Sequence, residues 1–309
     1  MIERSWSFLC CFLFGNLLFS QRSVAITIDD VPNTRLFARD GYHSRLLDSL
    51  DALAIPVAVF INEGLIYRTD SVTANFGLLR DWAVRDSVTL GNHGFQHARY
   101  SATGFDGYVR EVRRGEAITR ELAAVYGKEL RYFRFPYNDL GADSLQHRQI
   151  ADFLADEGYA IAPFTVESSD WMYDAVYEEL LARGEPAAAR EIGRAYVEKT
   201  LAYFAYFEGL AHKDYGRPIR HIYLCHDNRL NADFLPRIVR ELRARNYRCI
   251  SLPDALADPV YDRSDRYYQK WGVSWVYRWM TDPEARGQRM RGEPSTQDIL
   301  ERYERLAGE

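Results

Sequence analysis

The strongest constraint on the fold is an alternation that runs through most of the chain. Short apolar, β-branched or aromatic runs at 24–28, 57–61, 87–90, 132–135, 159–166, 219–224 and 247–251 are separated by longer amphipathic stretches. Parallel strands need crossovers long enough to hold a helix, so seven such runs predict an α/β chain built on one parallel sheet. Tyr108, Val112, Ile118, Leu122 and Val125 recur at roughly helical spacing across 107–126, and Gly127 follows as a stop. Residues 178–210 are rich in Ala, Glu and Arg and broken at Gly184-Glu185-Pro186, which predicts a helical insertion on the outside of the sheet. Ser251, followed by Pro253 and Asp254, reads as the cap of the helix closing the last β/α unit.

Composition bounds what such a chain can bind. Lys plus Arg total 39 against 44 Asp plus Glu, a formal net charge of -5, so no broad cationic surface is available for a phosphate backbone and nucleic acid is excluded as the expected partner. Aromatic residues make 14% of the chain, enough to pack a core or to stack on sugar faces. Many fall after Pro259, where Tyr267, Tyr268, Trp271, Trp275, Tyr277 and Trp279 crowd a charged tail. Docking of a helical tail is the favoured reading there, with a sugar platform as the alternative. Nothing in the sequence argues for a second independent domain, so the expected divisions are a leader at 1–20, the α/β domain at 21–259 and an extension at 260–309.

The first twenty residues resemble a secretory leader. Met1-Ile2-Glu3-Arg4 precedes an apolar run from Trp6 to Phe19, shorter than the ~20 residues that cross a bilayer. Cleavage after Ser20 would make the protein periplasmic or extracellular, with no stable membrane anchor once the leader is gone. Glu3 and the lack of an Ala-x-Ala site run against this, and a buried first helix is the alternative. Cys10 and Cys11 would depart with the leader. Cys225 and Cys249 then stand in separate strand-like runs, either as a disulfide or as buried thiols, and with no Cys-x-x-Cys pair a thiolate zinc site is not indicated.

Ligand-capable and titratable residues gather just beyond the strand-like runs. Asp29-Asp30 lies after the first, Gly91-Asn92-His93 and then His97 after the third, Pro136-Tyr137-Asn138 after the fourth, Glu167 and Asp170-Trp171 after the fifth, and Cys225-His226-Asp227 after the sixth. In a β/α barrel those ends form one rim, where residues distant in sequence converge. His93 and His97 are spaced to share one face if helical, or to reach one ion from many turns. The adjacent carboxylates Asp29 and Asp30 could supply one oxygen ligand and one base. Two imidazoles and a carboxylate leave coordination positions open for water and substrate. A cap or turn after the strand is the plainer reading of the carboxylates taken alone.

Thr27-Ile28-Asp29-Asp30, His93-x-x-x-His97, Arg134-Phe135-Pro136-Tyr137, Asp170-Trp171 and Leu224-Cys225-His226 resemble, in order, the five motifs of the polysaccharide deacetylase family, the family 4 carbohydrate esterases with a NodB-homology domain. The resemblance spans about three quarters of the chain, from Ser23 to near Leu256. It implies a distorted (β/α) barrel that hydrolyses N- or O-acetyl groups on sugars. It implies Asp30, His93 and His97 as ligands of one divalent metal ion, with zinc favoured by the mixed N/O set. Asp29 would be the general base, Arg134 its partner, His226 the general acid and Asp170 the group that orients and charges His226. The Tyr137 main-chain N–H, after Pro136, would stabilise the tetrahedral oxyanion, while Trp171 and Leu224 would wall the pocket for the acyl methyl.

The chain departs from the family pattern at Gly94, where Ser or Thr is usual, at Asn138, where Gly is common, and at Glu167, where Asp is common. The first questions the rigidity of the histidine loop and the others the shape of the substrate groove. The expected partner is an acetylated polysaccharide or oligosaccharide. Alternatives are a deformylase or other amide hydrolase acting on a small molecule through the same site, and a non-catalytic carbohydrate-binding protein. His43, His147, His212 and His221 lack comparable company and read as structural or surface residues.

Overall fold

A computed structural model describes residues 21–308; the expected leader lies outside the described residues. Among the described residues, eight strands form one sheet: β1 (Ser23–Val31), β2 (Val57–Ile61), β3 (Val88–Asn92), β4 (Tyr132–Phe133), β5 (Ala160–Ile161), β6 (Val166–Glu167), β7 (Arg220–His226) and β8 (Arg248–Cys249). Every pairing is parallel, in the order β5-β4-β3-β2-β1-β7-β6, with β8 beside the start of β1. The architecture is the distorted (β/α) barrel.

The run at 159–166 is two strands rather than one. β5 and β6 are close in sequence yet lie at the two edges of the sheet. Pro163 has no N–H to give to a ladder, and the chain around it crosses between the edges. Ala162 N–H bonds to Phe133 O on one side and Thr165 N–H to Ile222 O on the other, at 2.8 and 2.9 Å.

Strand alternation separates two buried faces. Val24, Ile26 and Ile28 of β1, with Val57, Val59, Ile61, Tyr223 and Cys225, pack outward against the helices. Ala25, Ala58, Phe60, Tyr132 and Ile222 form a second cluster inside the curl. This two-faced burial is why β1 and β2 read as nearly continuous apolar runs.

Helix boundaries follow local signals. The expected helix at 107–126 is two, Phe105–Arg114 and Ala117–Val125. The break at Gly115 lies against the histidine loop, where an added Cβ would come within 2.4 Å of the Gly94 carbonyl carbon. Of the periodic set, Tyr108, Val112 and Leu122 are buried, while Val125 is exposed. The expected insertion is Asp170–Ala182 followed by the 30-residue helix Pro186–Tyr215, broken where Gly184 takes a φ of 76°. Among the described residues, no helix is long and apolar enough to cross a membrane. Ser251 caps Leu252–Leu256 by accepting from Asp254 N–H.

Candidate active site

Alternation along the strands aims the functional side chains. On β1 the inward parity runs Ala25, Thr27, Asp29, and on β7 it runs Ile222, Leu224, His226, with Asp29 directly beside His226 in the register. Asp30 should by the same rule point away. Instead the register of β1 against β2 shifts between Ile28 and Val31, and Asp30 adopts a left-handed φ of 61°. This irregularity turns two adjacent carboxylates toward one groove.

His93 and His97 do not share a helix face, as one reading of their spacing allowed. The segment after β3 is irregular, and His97 sits at φ 59°. Their rings nevertheless meet, with centroids 5.1 Å apart. His93 Nδ1 lies 2.7 Å from Arg134 O; a carbonyl only accepts, so Nδ1 carries the proton and Nε2 offers its lone pair. Nε2 of His93 and of His97 lie 3.7 and 3.3 Å from Asp30 Oδ1. Burial draws His97 down to about 4 against the pull of Asp30, so its imidazole is neutral near pH 7.

One donor atom from each of Asp30, His93 and His97 falls within 4.8 Å of the others. Asp30 Oδ1 is buried and has no hydrogen-bond partner. A buried orphan acceptor facing two imidazole nitrogens is costly unless a cation completes it, so the residues fit a divalent metal ion.

The loop that carries these histidines is braced without a hydroxyl at Gly94. Gly94 takes a φ of 75° and its N–H donates to Asn92 Oδ1 at 2.8 Å. Asn62 Nδ2 donates to His93 O and Gly94 O, at 2.5 and 3.3 Å, and Gln96 N–H donates to Glu111 Oε2 at 2.8 Å. Asn62 and Glu111 thus supply rigidity that the departure from Ser or Thr put in question.

Arg134 is fully buried yet satisfied. It donates to Thr27 Oγ1 at 2.6 Å, Asp29 Oδ1 at 3.0 Å and Pro163 O at 2.9 Å, and its guanidinium stacks 4.2 Å from the Phe60 ring centroid. Asp29 Oδ1 is therefore occupied, while Oδ2 faces His93 at 3.9 Å.

Across the groove, Asp170 accepts from His226 N–H and Nδ1 at 2.8 and 2.7 Å, and from Asn228 and Asn231 Nδ2 at 3.1 and 2.6 Å. Burial opposes charge on His226, but Asp170, its hydrogen bond, Asp30 and Asp29 together push the imidazole up to about 10. The proton bonded to Asp170 lies on Nδ1, which leaves Nε2–H available to the groove. Glu167 is drawn up to about 7, by burial first and by Asp170 second, and Asp174 and Asp227 rise to about 7 chiefly through burial.

Asp29, Asp30, His93, His97 and His226 line one groove of about 910 Å³, together with Glu167, Tyr137, Trp171 and Leu224, while Arg134 and Asp170 lie buried behind Asp29 and His226. Pro136 is buried beneath it, at the start of a 3-10 turn in which Tyr137 takes a φ of 58°. Arg99 lies 4.1 Å from the Tyr137 ring centroid. Sequence reasoning missed Asn33, Arg68, Trp271 and Tyr303 as lining residues. Trp271 was visible only as one member of an aromatic cluster, and Tyr303 gave no signal.

The other histidines lie elsewhere. His43 is exposed against Asp48, His212 and His221 pair with Glu208, and His147 packs near Asp265. Cys225 and Cys249 are free thiols.

Comparison with known proteins classifies the chain by sequence. No curated protein matches the sequence. The family described as polysaccharide deacetylase matches residues 19–184, more than half of the chain. Among solved structures, a family 4 carbohydrate esterase from Streptomyces lividans in complex with acetate shares 19% identity and a TM-score of 0.50, covering 76% of this chain and 95% of its own. The Bc1960 peptidoglycan N-acetylglucosamine deacetylase shares 16% identity and a TM-score of 0.50, covering 77% and 89%. The peptidoglycan deacetylase PdaC from Bacillus subtilis shares 16% identity with a TM-score of 0.48, covering 76% and 90%. At such identities the likeness to the first two is one of fold alone, and it is the family match that classifies the sequence. The chain belongs to the polysaccharide deacetylase family.

Proposed function

We propose that the protein is a metal-dependent hydrolase that removes N- or O-linked acetyl groups from a polysaccharide or oligosaccharide. The observation that carries this reading is the grouping, in one groove, of the Asp30, His93 and His97 donors with Asp29, backed by buried Arg134, and His226, backed by buried Asp170. A divalent ion held by the first three, zinc by the mixed N/O donor set, would polarise the acyl carbonyl and acidify the attacking water.

The chain's own groups supply the proton transfers. Asp29, fixed through Oδ1 by Arg134, takes a proton from water on Oδ2 as the water oxygen bonds to the acyl carbon. The Tyr137 N–H donates to the oxygen that gains charge. His226 Nε2 gives its proton to the leaving nitrogen or oxygen as the C–N or C–O bond breaks, and Asp170 holds that imidazole charged and oriented. Trp171 and Leu224 exclude water beside the acyl methyl. We further propose that residues 1–20 are an export leader and that the protein acts in the periplasm or outside the cell.

Acetate release across chitin oligomers, peptidoglycan and acetylated xylan, with and without chelator, tests the reading. Release from at least one substrate, abolished by chelation and restored by zinc, is the expected result. No acetate from any of them with metal fully loaded would refute it.

A further inference from the structure

The C-terminal extension lies outside the family match, yet two of its residues line the groove that holds the Asp30, His93 and His97 cluster. Trp271 is 57% exposed there, and Tyr303 meets Trp171 edge-on with ring centroids 5.0 Å apart. Three of the extension's six other large aromatics do something different. Tyr267, Tyr277 and Trp279 are buried, with Val276 and Ile299, and fasten the extension to the barrel. Arg278 is buried beside them and pairs with Asp265 at 2.5 Å.

Both groove residues sit next to firm anchors. Ser274 Oγ donates to Thr165 O at 2.8 Å and Trp275 N–H donates to Phe164 O at 3.0 Å, tying the segment after Trp271 to the crossing between β5 and β6. Gly272 lies so close to the turn after Pro136 that an added Cβ would fall 2.4 Å from Tyr137 O. The helix Gln297–Gly308, which carries Tyr303, packs on the helix Asp170–Ala182, which carries Trp171. The extension is thus held at two places along the groove, and at each it presents an aromatic ring.

We infer that Trp271 and Tyr303, with Trp171, form a wall that binds a pyranose ring of the acylated glycan, so that the extension determines substrate specificity. The inference rests on the deacetylase reading for its substrate. An anchor needs burial, and Trp271 has given it up; a flat ring more than half open to an active groove suits the C–H face of a sugar. Lys270 steadies that ring, with Nζ 4.9 Å from its centroid.

The test compares full-length, zinc-loaded wild type with Trp271→Ala, Tyr303→Ala and Trp271→Phe. Steady-state acetate release is measured on the substrate that wild type turns over. A rise in KM of about tenfold in Trp271→Ala, a smaller rise in Tyr303→Ala, kcat within about threefold of wild type, and substantial recovery in Trp271→Phe are expected. Wild-type KM in both alanine variants would overturn the wall and leave the deacetylase reading standing. Should wild type release no acetate from any glycan, that reading fails, and chitotetraose calorimetry on wild type and Trp271→Ala decides the wall: weaker binding in the variant supports it, and equal binding or none in either overturns it.

Discussion

On one side of the groove, Asp30, His93 and His97 converge from irregular backbone and leave a buried carboxylate oxygen without a partner. On the other, Asp170 receives four donors from His226, Asn228 and Asn231, and sits at the start of a regular helix facing the regular strand β7. The first side is incomplete by itself and would gain its missing partner from the proposed cation. The second is complete by itself and serves to keep one imidazole protonated. The difference teaches that the two imidazole groups are separated by environment rather than by residue type: burial keeps His97 neutral, whereas an ionised partner keeps His226 charged.

The sharpest way to break this comparison is to exchange the fates of the two sides. His97→Ala should lose the metal and with it all measurable turnover, as read by metal content after dialysis and by acetate release. Asp29→Asn should lower kcat by about 10²- to 10⁴-fold, the range for a removed general base, while the metal stays bound. Equal metal loss in both variants would mean that ligand and base have been misassigned.

A smaller effect separates the acid side. The proposed mechanism needs His226 protonated, and its folded-state value of about 10 lies above the ordinary 6.5, so this requirement is met at neutral pH and lost as pH rises through the raised value. A cation on Asp30 offsets part of the pull from that carboxylate and draws the alkaline limb below 10. Asp170→Asn removes the largest raising influence, so the limb in a kcat/KM profile should move down toward neutrality. An unmoved limb would assign it to another group.

The smallest effect concerns the loop. At φ 75° Gly94 has room for a side chain, since the nearest atoms to an added Cβ are Glu111 Oε2 at 3.9 Å and Pro136 Cγ at 4.0 Å. Gly94→Ala should therefore cost only the left-handed conformation, about 1–2 kcal/mol in urea unfolding. A cost beyond about 4 kcal/mol would show that the loop is packed more tightly than these distances imply.

Much of the barrel and its rim was legible in the sequence because both depend on short-range patterns. Apolar runs marked the strands, and polar residues just beyond them marked the groove, so the proposed ligands, base, acid and their partners all arrive at one place. Three features were hidden. The run at 159–166 looked like one strand because apolar content does not report which neighbour a strand pairs with, although Pro163 was a signal of the break. The turn that brings Asp30 back beside Asp29 violates strand alternation, and only the register shows it. Trp271 and Tyr303 reach the groove through tertiary docking, for which spacing along the chain gives no measure.

Zinc titration of metal-free protein, followed by calorimetry in wild type and in His97→Ala, probes the central arrangement most directly. The account predicts close to one equivalent bound by wild type and a loss of affinity of at least about a hundredfold in the variant. Equal affinity and stoichiometry in the two proteins would contradict it, because the cation would then be held somewhere other than among Asp30, His93 and His97.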